Sequence, residues 1–266
     1  MSAVLLAVAH GSRDPAAQQC VASLTRRVAR LADGARVRAA FVQHAKPSLA
    51  AGLDNAVTEA GADGVAVVPL LLSSGYHLSS DIAAAARAAG VPVARPLGPD
   101  PALAGALAGR LREAGVPGQV PVVLAAAGSR DPRALADARA QAAMLAAHRR
   151  FPVVAAFVSA ARPTVDEAVS FLAGLTGRPV AVAAYLLAPG LFHDRLFRSA
   201  GTWVSRPLGD HPAMASLVLD SYRAIAGRGA VPGVPRPAPR VLRTAGTARW
   251  MAHWSGGADA DRRASA

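Results

Sequence analysis

An internal duplication constrains this chain more than any other feature. Gly11-Ser12-Arg13-Asp14-Pro15 returns as Gly128-Ser129-Arg130-Asp131-Pro132, Ala39-Ala40-Phe41-Val42 as Ala155-Ala156-Phe157-Val158, and Lys46-Pro47-Ser48 as Arg162-Pro163-Thr164. Leu71-Leu72-Ser73-Ser74-Gly75-Tyr76-His77 returns, with one residue inserted, as Leu186-Leu187-Ala188-Pro189-Gly190-Leu191-Phe192-His193, and Arg95-Pro96-Leu97-Gly98 as Arg206-Pro207-Leu208-Gly209. Gly11 and Gly128 stand 117 positions apart, and Arg95 and Arg206 stand 111 apart. Matches in one order at a nearly constant offset mean that one supersecondary unit is built twice. Gly115, Pro117, Gly118 and Pro121 punctuate the middle of the chain, which puts the boundary near Pro117 and predicts domains at 1–116 and 117–226. From 227 to 266 the chain turns to Pro, Gly and Arg with isolated Trp250 and Trp254, the composition of a disordered tail with room for a short helix at 247–253.

Within the first half, mainly apolar runs at 4–9, 37–42 (interrupted by Arg38), 65–72 and 91–94 alternate with helical stretches such as 16–31, 48–60 and 101–114. Runs without polar alternation suit strands covered by helices on both faces, as in parallel sheets. The expected fold class is therefore α/β, with two tandem similar domains, each a mostly parallel, roughly four-stranded sheet flanked by helices.

Composition narrows the function classes. The 266 residues are 52% hydrophobic and 17% charged, which excludes a chain disordered throughout. No apolar run reaches the roughly 20 residues that span a bilayer, and the stretch at 3–9 lacks the basic residues that open a signal peptide. A cytoplasmic protein is expected. The single cysteine, Cys20, rules out an internal disulfide and any CxxC metal site, so metal chemistry has to use His and carboxylates. The net charge of +12 comes from scattered arginines, with Lys46 the only lysine, and no basic stripe interleaved with aromatics. That pattern argues against nucleic acid and fits a small polyanionic substrate.

Ligands of open parallel sheets bind at the carboxyl ends of the strands. His10 ends the first run, and His77 follows the third in Ser73-Ser74-Gly75-Tyr76-His77. Neutral imidazoles from neighbouring strand ends can hold a divalent transition metal and accept protons near pH 7, although each can equally cap a strand or bond a loop. In the second half Ala127 replaces His10 while His193 keeps the later position, which places the metal chemistry in the first half. Ser12 and Ser129 precede Arg-Asp-Pro and read either as turn or cap residues, with Asp14 and Asp131 as alternatives for that role, or as substrate contacts. Arg13, Lys46, Arg130 and Arg162 recur beside strand ends, where they can receive carboxylates or remain solvated. No GxGxxG, GxxxxGK[ST] or GxSxG motif occurs, so dinucleotide, P-loop and α/β-hydrolase readings have no support.

The strings Ala-His10-Gly11-Ser12-Arg13-Asp14, Phe41-Val42 followed by Pro47-Ser48-Leu49, and Pro69-Leu70-Leu71-Leu72-Ser73-Ser74-Gly75-Tyr76-His77 together resemble the sirohydrochlorin chelatases of the CbiX/SirB type, over about residues 3–226. The resemblance implies two chelatase-like α/β domains with an active-site cleft between them, and ATP-independent insertion of Fe2+ or Co2+ into sirohydrochlorin for sirohaem or cobalamin synthesis. It implies His10 and His77 as metal ligands and proton acceptors, with the metal as substrate and no organic cofactor. Ser12, Arg13, Gln43, His44, Lys46, Ser73, Ser74, Gly75, Tyr76, Arg130 and His193 are the expected substrate contacts. The partners are sirohydrochlorin and the metal ion, with no membrane, and the protein is expected as a monomer or homodimer. One departure stands out: where the family usually carries a glutamate, this chain has Gln43 followed by His44. A glutamine cannot take a proton, so the alternative reading is a non-catalytic tetrapyrrole or metal binder.

Overall fold

The computed structural model describes residues 3–199 and 201–226; for Tyr76, His77, Leu78 and Ser79 it describes the backbone only. The expected tail at 227–266 lies outside the described residues. Two parallel sheets form, as the unalternated apolar runs require. In the first, β1 (Val4–Ala9) is central between β2 (Arg36–Phe41) and β3 (Val65–Pro69). In the second, β4 (Val122–Ala126) lies between β5 (Val153–Phe157) and β6 (Ala181–Tyr185), with the two-residue β7 (Trp203–Val204) beyond β6.

The expected fourth strand of the first half, at 91–94, is only an isolated bridge between Val67 and Val93. Pro92 lies within it and Pro96 follows shortly after, and proline offers no N–H to extend a ladder. Only Val67 N to the Pro92 carbonyl and Ala94 N to the Val67 carbonyl are made there, at 2.9 and 2.8 Å. The third strand also stops at Pro69, short of the expected residue 72.

The helices are α1 (Pro15–Leu31), α2 (Leu49–Ala60), α3 (Tyr76–Ala88), α4 (Pro101–Glu113), α5 (Pro132–Ala146), α6 (Val165–Thr176), α7 (Leu191–Leu196) and α8 (Pro212–Ile225). Successive residues of a strand face opposite sides, and the core divides accordingly. Val4, Leu6 and Val8 of β1 pack outward against Leu53 of α2 and Ile82 of α3, while Val123 and Ala125 of β4 do the same against Leu172 of α6 and Leu196 of α7. Leu5 and Ala7 point inward and join Leu24 of α1, Leu107 of α4, Leu124 of β4, Leu145 of α5 and Val218 of α8 in one continuous cluster.

That shared layer arises because the halves exchange their last helices. The helix α4 ends the first half but packs on α5 and β6, and α8 ends the second half but packs on α1 and β3. A buried arginine secures the exchange: Arg110 of α4 donates from Nε to the Pro207 carbonyl (3.0 Å) and from Nη2 to the Leu208 carbonyl (3.0 Å), and pairs with Glu113 at 2.7 Å. Truncating Arg110 to alanine leaves the Pro207 carbonyl without this donor and the Leu208 carbonyl with the His211 N–H alone (3.1 Å), and is expected to lower stability by about 2 kcal/mol, as read from urea unfolding; a change within about 0.5 kcal/mol would contradict this role.

Candidate active site

Each half begins with a strand ending in a glycine turn. Gly11 (φ 97°) and Gly128 (φ 96°) hold left-handed backbone, and a Cβ at either would overlap the carbonyl oxygen of Gln43 or Ser159, the residues that follow β2 and β5. Glycine is therefore what lets the two strand ends close on one another, and Gln43 N reaches the His10 carbonyl at 3.0 Å. Asp14 and Asp131 are the N-caps, accepting from Ala16 N (2.8 Å) and Arg133 N (2.9 Å). Ser12 and Ser129 brace those caps by accepting from Asp14 N (3.1 Å) and Asp131 N (3.0 Å).

This geometry gathers three of the expected site residues at the carboxyl edge of the first sheet. Gln43 Nε2 lies 2.7 Å from His10 Nε2. An amide nitrogen only donates, so His10 Nε2 accepts and the ring carries its proton on Nδ1. His44, with left-handed φ of 61°, sets its ring edge-on to His10 with centroids 6.5 Å apart. Partial burial depresses the His10 pKa, and the neighbouring His44 lowers it further, so the imidazole is neutral near pH 7. Ala160, the repeat counterpart of His44, has the same left-handed backbone (φ 56°) without a side chain that can ligate or titrate.

His77 is the second residue of α3, at the end of the loop leaving β3, so its backbone joins His10 at this edge because β3 neighbours β1. The side chains of Tyr76 and His77 lie outside the described residues. Among the described residues no three His, Cys, Asp or Glu groups stand close enough to hold a metal ion. The carboxyl edges of the two sheets meet, since the side chain of Asp14, at the start of α1, lies against Gly190 after β6, and Ser74 after β3 reaches α5.

Arg13, Lys46 and Arg130 are exposed at these edges and form no ion pair among the described residues, whereas Arg162 is engaged with Glu167. His193 is placed differently from the expectation of a substrate contact: it is 8% exposed, its Nε2 lies 3.0 Å from the Ser205 carbonyl oxygen, and its ring packs on Phe197. The extra residue in the second copy's loop accompanies this turn into the core. Ser73 and Gly75 are partly exposed in the β3–α3 loop. Asp137 and Tyr185 hold that loop from the opposite half and carry no signal in the sequence, since Asp137 lies within α5 and Tyr185 ends β6 and neither occupies a loop after a strand.

Comparison with known proteins places these features in context. The CbiX family model matches residues 4–114 and again 121–225. The sirohydrochlorin ferrochelatase of Bacillus subtilis (strain 168) is 28% identical over 245 residues, covering 85% of this chain and 93% of that protein. The fold is similar to the structure of SirB from Bacillus subtilis with Fe3+, at TM-score 0.73 and 27% identity over 86% of this chain and 99% of that one. It is also similar to the cobalt complex of the sirohydrochlorin chelatase SirB from Bacillus subtilis subspecies spizizenii, at TM-score 0.70 and 25% identity over 85% and 96% of the two chains. Among the described residues no helix is long and apolar enough to cross a membrane.

Proposed function

The chain belongs to the CbiX family, and from that premise we propose that it inserts Fe2+ or Co2+ into sirohydrochlorin without ATP. The observation that carries the reading is the neutral His10 imidazole at the meeting edge of the two sheets, its Nε2 accepting an amide hydrogen bond from Gln43. Metal insertion exchanges two pyrrole N–H protons for one dication, and the site must therefore hold the ion and take protons. In this reading His10 and His77 do both. The arriving ion displaces the Gln43 amide at a cost of about 1 kcal/mol, small against the gain from ligation. The substrate's carboxylates are received by Arg13, Lys46 and Arg130, which stand exposed at the carboxyl edges of the sheets.

The stoichiometry is testable. With sirohydrochlorin and Co2+ in weak anaerobic buffer, about two protons should appear per metal inserted, in step with the change in the pigment's absorbance. A spectral change without proton release would mean binding rather than insertion.

Gln43 also sets a pH signature. Because the His10 pKa is depressed, the acid limb of the rate profile is expected below the ordinary imidazole value. In Gln43→Glu a carboxylate beside His10 favours the imidazolium, so the limb should move up by about one pH unit or more, with the His10 ring resonances moving in parallel in NMR. An unchanged profile would show that His10 is not the proton acceptor.

A further inference from the structure

We infer that Asp137, on α5 of the second half, is a positioning residue for the metal-handling loop of the first half, an inference that rests on the proposed function. Asp137 Oδ2 accepts from both Ser74 N (2.7 Å) and Ser74 Oγ (2.5 Å), three residues before His77. Tyr185, at the end of β6, donates from its hydroxyl to the Leu72 carbonyl at 2.6 Å, two residues further back. The loop from β3 to α3 is therefore gripped twice by the other half immediately before the backbone of His77. The approach depends on Gly98, where a Cβ would overlap both the Tyr185 hydroxyl and the Leu72 carbonyl oxygen.

The duplication shows that this grip is one-sided. The repeat counterpart of Asp137 is Cys20, and that of Tyr185 is Leu70. Cys20 reaches toward the equivalent carbonyl, Leu187, only at 3.6 Å through its sulfur, and burial pushes its thiol up to about 11, leaving a neutral weak donor. The same framework position thus carries a carboxylate where it faces the histidine-bearing loop and a thiol where it faces the loop of the copy that has Ala127 in place of His10. Burial pushes the Tyr185 hydroxyl well above the ordinary phenol value, and Asp137 and Asp100 push it further, so it stays protonated and able to donate to Leu72. The second copy, lacking the first histidine, has become the clamp for the copy that kept it.

The test compares Asp137→Ala and Asp137→Asn with the unaltered chain. In Asp137→Ala, kcat for Co2+ insertion should fall about tenfold or more while KM for sirohydrochlorin rises by less than kcat falls, because Arg13, Lys46 and Arg130 lie outside the released loop. Asp137→Asn keeps an acceptor oxygen of the same shape and should recover most of the rate. Hydrogen exchange reads the clamp without any activity: the Ser74 amide should exchange about tenfold or more faster in Asp137→Ala than in the unaltered chain, with the amides of β1 unchanged. An unaltered chain that does not metalate sirohydrochlorin would overturn the proposed function, and the exchange experiment would then decide the clamp alone. Unchanged Ser74 exchange, or unchanged kcat in Asp137→Ala beside an active unaltered chain, would overturn the inference.

Discussion

In His10→Ala, metal insertion is expected to fall by about 100-fold to 10,000-fold, the span associated with loss of a positioned proton acceptor, while the melting temperature stays within a few degrees. The two expectations separate because of where the residue sits. His10 follows β1 at the exposed edge of the sheet, and the buried run that anchors the fold ends one residue earlier, at Ala9. Among the described residues its side chain accepts a hydrogen bond from Gln43 and makes a ring contact with His44. Steady-state rates with saturating Co2+ measure the first expectation and thermal unfolding the second. Retention of more than about a tenth of the activity would remove His10 from the chemistry.

Gly11→Ala should cost both stability and activity. The new Cβ would overlap the Gln43 carbonyl oxygen and press on the Phe41 side chain, at a backbone φ of 97° that L-residues avoid. Relief requires the ends of β1 and β2 to part, which breaks the bond from Gln43 N to the His10 carbonyl and carries the Gln43 amide away from the imidazole. A stability loss of about 4 kcal/mol is expected in urea unfolding, together with loss of metal insertion. Gly128→Ala supplies the control, since the same overlap there falls on the Ser159 carbonyl oxygen, in the half that has Ala127 in place of the histidine. It should cost similar stability while the molecules that remain folded keep the rate. Equal losses of rate per folded molecule in both variants would mean that the turn affects the reaction only through global stability.

The repeat made much of this architecture legible. Two copies of an alternating pattern of apolar runs and helices predict two parallel sheets, and the glycine turns at Gly11 and Gly128 mark the ends of their central strands. His10, Gln43 and His44 come together for a reason visible in the sequence, because they follow neighbouring strands of one sheet. The shortfalls have physical causes. The helix α3 was hidden because Ser73-Ser74-Gly75 reads as a loop and the helix starts at Tyr76 without a capping side chain. The strand expected at 91–94 shrinks between its prolines. His193 matches His77 by repeat position, yet it bonds the Ser205 carbonyl in the interior, a partner that only the folded second sheet brings near. The exchange of α4 and α8 and the reach of Asp137 across to Ser74 depend on packing between halves separated by 63 residues at that contact, and local sequence patterns carry no trace of such a pairing.

In the proposed reaction, His10 and His77 of one half metalate a tetrapyrrole where the carboxyl edges of the two sheets meet. It is tested most directly by following the absorbance of sirohydrochlorin anaerobically with Fe2+ or Co2+, alone, with the protein, and with His77→Ala. Metalation should be faster with the protein than without it, for at least one of the two ions, and should return to the uncatalysed rate in His77→Ala. Tight binding of the pigment with no acceleration by either ion would contradict it, and would make Gln43 the mark of a protein that carries the tetrapyrrole without metalating it.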